Sequence, residues 1–163
     1  MILTPRPLIL RSNAMVFDAL ALPYRGGSFD VVFSAFGALP FVADLDAALR
    51  EVHRVLRPHG RFVFSVPHPM RWVFPDDPQD LTAELPYFER AYLEQDDSGE
   101  LSYAEFHRTM GDWVRAVQVR GSFEICNLIE PEWPEGLDIT WGQWSPERGA
   151  IFPGTAIFVC EAP

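Results

Sequence analysis

The 163-residue chain is 48% hydrophobic and 13% aromatic, enough apolar mass for one packed core in a single domain. Its 13 basic and 23 acidic side chains leave a formal charge of -10, which repels phosphate backbones and anionic lipid and so argues against nucleic acid and membrane surfaces as partners, in favour of a neutral or cationic ligand. No apolar run approaches the roughly 20 residues a membrane-spanning helix needs, and the prolines of "MILTPRPLILR" break any signal-peptide pattern.

In chain order, residues 1–14 hold "TPRP" and most of "SNAM", a stretch at Ser12–Met15 that matches a common expression-tag scar, and they read as an irregular segment ahead of a domain over 15–163. "MVFDALALPY" predicts a short apolar strand ending at Asp18, "RGGS" a turn, and Phe29–Ser34 a second strand. Leu45, Ala48, Leu49, Val52, Val55 and Leu56 recur at helical spacing, with Asp44 as N-cap and Pro58–Gly60 as the stop. His53 falls on the exposed side of that helix. "RFVFSVP" at Arg61–Pro67 is apolar at nearly every position, as a parallel strand covered on both faces should be. Strand, helix and strand make a βαβ unit, and the class is α/β.

From Pro67 to Tyr92 the chain is rich in Pro, Asp and aromatics without periodicity, the profile of an excursion over the carboxyl edge of a sheet. "YLEQDDSGELSYAEF" predicts a hairpin, its acidic turn lacking the ligand alternation of a calcium loop. "TMGDWVRAVQVRG" predicts a helix capped by Thr109, with Asp112 in the capping-box position and Gly121 as its stop. "SFEICNLIE" and "GTAIFVCEA" predict two last strands around a tryptophan-rich connection. Cys126 and Cys160 stand far apart without metal-ligand spacing and read as reduced thiols packed as small hydrophobes in a cytoplasmic protein.

In this order the pieces resemble a known family. "DALALPYRGGSFDVVFSAFGALPFVADLDAALREVHRVLRPHGRFVFSVPHP" is similar to the middle and later motifs of class I S-adenosylmethionine-dependent methyltransferases. "YAEFHRTMGDWVRAVQVRGSFEICNLIEP" and "PGTAIFVCEA" are similar to the helix, sixth strand and final antiparallel strand of its small-molecule branch. The resemblance implies a Rossmann-like sheet, mostly parallel with an antiparallel last strand, and S-adenosyl-L-methionine as cofactor. It fails at the front: the family's Gly-x-Gly-x-Gly loop has no counterpart, since no Gly-x-Gly occurs in the chain. The domain therefore reads as N-terminally truncated, whether a fragment, a misplaced gene start or a natural truncation.

The resemblance also implies site residues. Asp18 matches the carboxylate that accepts from the adenine amino group, with Ala19 offering its N–H; Ser34, Ala35, Phe36 and Gly37 match the stretch lining the cofactor's methionine and sulfonium. The plainer alternatives are a turn aspartate and core packing at Phe36. His68, directly after "RFVFSV", and His107, at a family position near the lid, are the candidate general bases. Each has a structural alternative: a turn-shaping histidine between prolines, and a helix-entry residue bonded to backbone. His59 stands where the family usually has glycine. Trp72, Tyr87, Trp133, Trp141 and Trp144 fall on segments 67–108 and 131–150, read as substrate-lid insertions suited to an apolar or ring-bearing acceptor.

The resulting expectation is a methyltransferase acting on a small molecule. The alternative is a non-catalytic, truncated domain that acts through self-association or a protein partner, a second copy covering the open sheet edge. A dinucleotide enzyme fits less well, because the phosphate-binding glycines are missing too.

Overall fold

The computed structural model describes residues 17–36 and 38–163; the irregular segment expected at 1–14 and the cofactor candidate Gly37 lie outside them. Four strands form the main sheet: β1 (Phe29–Ala35), β2 (Leu56–Pro67), β5 (Glu124–Ile129) and β6 (Thr155–Glu161), in the spatial order β1-β2-β6-β5. β1 and β2 pair in parallel, and β6 runs antiparallel to both β2 and β5. Three strands thus share one direction and the last is reversed, as the resemblance implies. β3 (Ala91–Gln95) and β4 (Leu101–Phe106) form a separate hairpin.

Helix α1 (Leu45–Val55) starts where Asp44 accepts the Ala47 N–H at 2.9 Å, and it buries Leu45, Ala48, Leu49, Val52 and Val55. It ends sooner than the sequence suggests. Arg57 precedes a proline and is disfavoured as helix, so Leu56 already opens β2, which turns through His59 at φ +63° before its regular run. Gly60 is needed there, because a Cβ would lie 2.8 Å from the Arg57 carbonyl oxygen. Helix α2 (Met110–Arg115) has the expected capping box between Thr109 and Asp112, then widens into a π-turn over Ala116–Arg120 before Gly121.

The core lies on one face of the sheet, where α1 and α2 bury Phe62, Phe64, Val66, Ala156, Phe158 and Cys160. Phe64 stacks on Phe158 at 4.8 Å and on Phe62 at 4.9 Å, each ring contributing about 2 kcal/mol through burial. The opposite face is bare among the described residues: Val31 is 56% and Phe33 77% exposed. Strands of the parallel kind are normally covered on both faces.

Three expectations are corrected. Phe17 and Asp18 are not in a strand, and the Met15–Val16 start of the expected one lies outside the described residues; the Asp18 carboxylate accepts the Leu20 N–H at 2.8 Å and closes a local turn, as short acidic side chains do when they compete with regular structure. His53 is not solvated but half-buried, edge-on to Phe123 at 5.2 Å. Cys126 is exposed, accepting from Arg61 on the bare face, whereas Cys160 is buried as expected. The start of the 67–108 excursion is ordered into a 3-10 turn, Pro69–Val73, that buries Trp72.

Candidate functional site

β1, β2 and β5 end, and β6 begins, at the same edge of the sheet, so Phe36, His68, Glu130 and Gly154 come together there from four separate stretches of chain. Ligands of open α/β sheets bind at such edges. Phe36 leaves β1 in the left-handed region at φ +55°, an unusual conformation for a non-glycine residue. Its N–H donates to both the carbonyl oxygen and the Oγ of Ser65, at 3.2 Å each. The half-buried Ser34 and exposed Ala35 lead into this turn.

A cavity of about 200 Å³ brings Phe36 together with Trp133, Trp141 and Trp144. It adjoins a larger cavity of about 730 Å³, the two sharing Glu132, Trp133 and Gly149 as wall. Trp141 and Trp144 are held as a pair by reciprocal backbone hydrogen bonds of 2.9 and 3.0 Å around Gly142, whose φ of +56° allows the tight turn. Trp133 donates its indole N–H to Leu137 O at 2.8 Å and lies directly on Gly149, where a Cβ would fall 2.4 Å from the ring. Four of the residues singled out from the sequence therefore share one cavity.

His68 caps the 3-10 turn, its Nδ1 accepting the Met70 N–H at 3.2 Å. An acceptor nitrogen carries no proton, so the ring's proton sits on Nε2 and is donated to Glu130 Oε1 at 2.8 Å. Both ring nitrogens are thereby engaged and the ring is buried, whereas the half-exposed Glu130 lines the larger cavity. The carboxylate, not the imidazole, is the basic group that faces the open space.

His107 lies apart from this edge cavity, among Trp72 and Tyr87 at 4.7 and 5.7 Å between ring centroids. Its Nε2 bonds the Tyr87 carbonyl oxygen at 2.8 Å, while the Tyr87 hydroxyl accepts the first N–H of α2, that of Met110, at 3.2 Å. Burial pushes the His107 pKa below its ordinary value, against the pull of that hydrogen bond. The space beside it is about 10 Å³, room for a water at most and far too small for an acceptor molecule. Trp72, Tyr87 and His107 thus form a packed junction between the 3-10 turn and α2. On its far side Trp72 borders a separate cavity of about 310 Å³ with Arg71, Tyr92 and Tyr103.

Asp18 and Ala19 sit on a loop ahead of β1. Their loop is fastened to α1, with Leu22 N–H on Glu51 at 2.9 Å and the Arg54 guanidinium on the Leu22 and Tyr24 carbonyls at 3.0 and 2.8 Å. Arg54, bonded to Glu51, lowers that carboxyl to about 2. Neither Asp18 nor Ala19 lines the cavity around Phe36.

Two residues that sequence reasoning missed organise the edge. Glu130 carries no local signal, since its partner His68 is 62 positions away. Arg148, wholly buried, donates to the carbonyls of Gln143, Pro75, Asp77 and Asp80 at 2.7, 3.2, 2.6 and 2.6 Å, fastening the tryptophan segment to the loop after the 3-10 turn. Ser145 adds a bond to Pro78 O at 2.8 Å while capping the short helix α3 (Pro146–Gly149).

Comparison with known proteins agrees with this architecture. Residues 4–64 match a family model described as a methyltransferase domain. A demethylmenaquinone methyltransferase of Thermus thermophilus is 50% identical over 58 residues, 35% of this chain and 26% of that protein. A malonyl-[acyl-carrier protein] O-methyltransferase of Halorhodospira halophila is 42% identical over 59 residues, 36% of this chain and 20% of that protein. These matches span about a quarter or less of the relatives' length. Among solved structures, an S-adenosylmethionine-dependent methyltransferase of Mesorhizobium loti superposes with a TM-score of 0.66 at 23% identity, over 89% of this chain and 67% of that one. A methyltransferase of Methanosarcina mazei gives 0.59 at 19% identity, over 90% and 65%. With the single reversed strand beside β2, the chain has the Rossmann-like fold of these S-adenosylmethionine-dependent methyltransferases, and its residues 4–64 are similar to a methyltransferase domain.

Proposed function

We propose that this chain is the acceptor side of a cytoplasmic S-adenosylmethionine-dependent methyltransferase acting on a small molecule, with 67–108 and 131–150 as the lid over the acceptor. The observation that carries the reading is the cavity joining Phe36, at the end of β1, to the lid tryptophans Trp133, Trp141 and Trp144. The residues present fit the cofactor in part. The Ser34–Phe36 turn offers small side chains and a ring beside open space, whereas no Gly-x-Gly in the 163 residues supplies a glycine cradle for the amino-acid end. Asp18 and Ala19 remain candidates for the adenine end on their exposed loop.

When bound, S-adenosylmethionine supplies an electrophilic methyl group on a sulfonium. The chain's own residues then have three tasks: to hold the acceptor in line, to exclude water, and to take the proton the acceptor gives up. The tryptophan wall serves the first two. Glu130 serves the third as the carboxylate facing the larger cavity, and His68 acts as a positioning residue, its Nε2–H holding the Glu130 carboxylate. His107, enclosed and bonded to backbone, supports the lid junction.

The sheet face and the β1 edge that no described residue covers carry the second part of the reading, that a second copy of this chain covers them. Calorimetric titration with S-adenosylhomocysteine tests the first part. Micromolar binding by the chain is expected, and no heat at millimolar ligand would end the case for catalysis by these residues alone.

A further inference from the structure

The larger edge cavity has a chemical character that the family assignment does not supply. Glu130, Glu132, Glu135 and Asp138 all line its roughly 730 Å³, and among the described residues no arginine or histidine lines either it or the adjoining cavity. The chain has no lysine at all, and 13 arginines are distributed elsewhere. The apolar part of the wall is aromatic. Trp133 spends its indole N–H on Leu137 O, so the rest of the ring offers only π surface and C–H groups. Trp144, edge-on to Phe152 at 5.3 Å, lines the adjoining cavity, on the other side of the wall that Trp133 shares with it. An anionic ligand here would meet four carboxylates and no counter-charge. A neutral one would leave them unanswered. An ammonium group would answer them and also be attracted by the indole faces. The net charge of -10 draws cations toward the molecule as a whole.

We propose that the larger cavity binds a small organic amine in its ammonium form, with the nitrogen among Glu130, Glu132 and Glu135 and its hydrocarbon part against Trp133, toward the adjoining cavity that Trp144 lines. This rests on the methyltransferase reading only in naming the amine as the acceptor; the binding itself needs no cofactor. Glu130 is then placed to take one proton from the ammonium and so free the nitrogen lone pair, the state in which an amine is nucleophilic.

Three ligands of one shape and different charge separate the outcomes: cyclohexylammonium, cyclohexanol and cyclohexanecarboxylate, titrated against the whole chain by calorimetry and by tryptophan fluorescence. The expected order is ammonium about tenfold tighter than alcohol, with the carboxylate weakest. The exposed double substitution Glu132→Gln and Glu135→Gln should bring the ammonium close to the alcohol while leaving the unfolding midpoint unchanged. Equal affinities for the three, no detectable ammonium binding, or a double variant that still prefers the ammonium would each overturn the proposal. Because the titration omits the methyl donor, it stands or falls separately from the S-adenosylhomocysteine experiment.

Discussion

At the scale of single residues, His107 shows how a side chain picked for chemistry can instead be bound into packing. Burial lowers its pKa from the ordinary 6.5, Arg90 and Arg108 push the same way, and the Tyr87 carbonyl and Asp112 oppose them. A histidine held neutral in the fold but free to charge on unfolding contributes stability that is complete above pH 6.5 and declines as pH falls below it. Urea midpoints should therefore fall between about pH 7.5 and 5.5, and His107→Gln should flatten that slope. Parallel slopes for the two proteins would show that His107 takes no part. The carboxylates of Glu51 and Asp112, both lowered, act in a separate window, their contribution lost below their ordinary 4.5 and 3.8. Local signals of this kind were legible: the Asp44 cap and the Thr109–Asp112 box need only three or four neighbouring residues. Glu130 and Arg148 were not, because their partners lie far along the chain and nothing in composition marks them. His59 was noticed as a replacement for glycine, and its φ of +63° explains what the glycine is for.

At the scale of elements, strands and helices were read correctly where periodicity or apolar runs are strong, as in β1, β2, α1 and α2. Boundaries moved where backbone chemistry intervenes, at Leu56 before Pro58 and at the π-turn after Arg115. Composition marks the tryptophan segment out as an irregular excursion, but not what holds it in place. It is organised by Arg148, whose guanidinium answers four backbone carbonyls from two loops. Removing that charge leaves buried acceptors unpaired, so Arg148→Met should cost about 3 kcal/mol of stability. The emission of Trp141 and Trp144 should shift to longer wavelength as the segment loosens. Arg148→Lys should recover only part of the loss, since an ammonium cannot span both loops. An unchanged denaturation midpoint in the methionine variant would refute the clamp.

At the scale of the whole molecule, the sheet is finished on one side and, among the described residues, open on the other. α1 and α2 seal the face holding Phe62, Phe64 and Phe158, while Phe33 stands 77% exposed across the sheet. If a second copy covers that face, sedimentation should report a mass above the 18.5 kDa of one chain, and Phe33→Ser should shift it toward the monomer. A wild-type chain that remains monomeric through the micromolar range would remove the assembly from the picture. The two thiols divide along the same line. Cys160 is sealed in the core with its pKa pushed to about 12 by burial, and Cys126 lies on the open side beside Arg61. A maleimide-linked dye therefore has a single address in the native protein, and that address doubles as a gauge: its rate of coupling measures how much of the time the exposed side of the sheet is in contact with water.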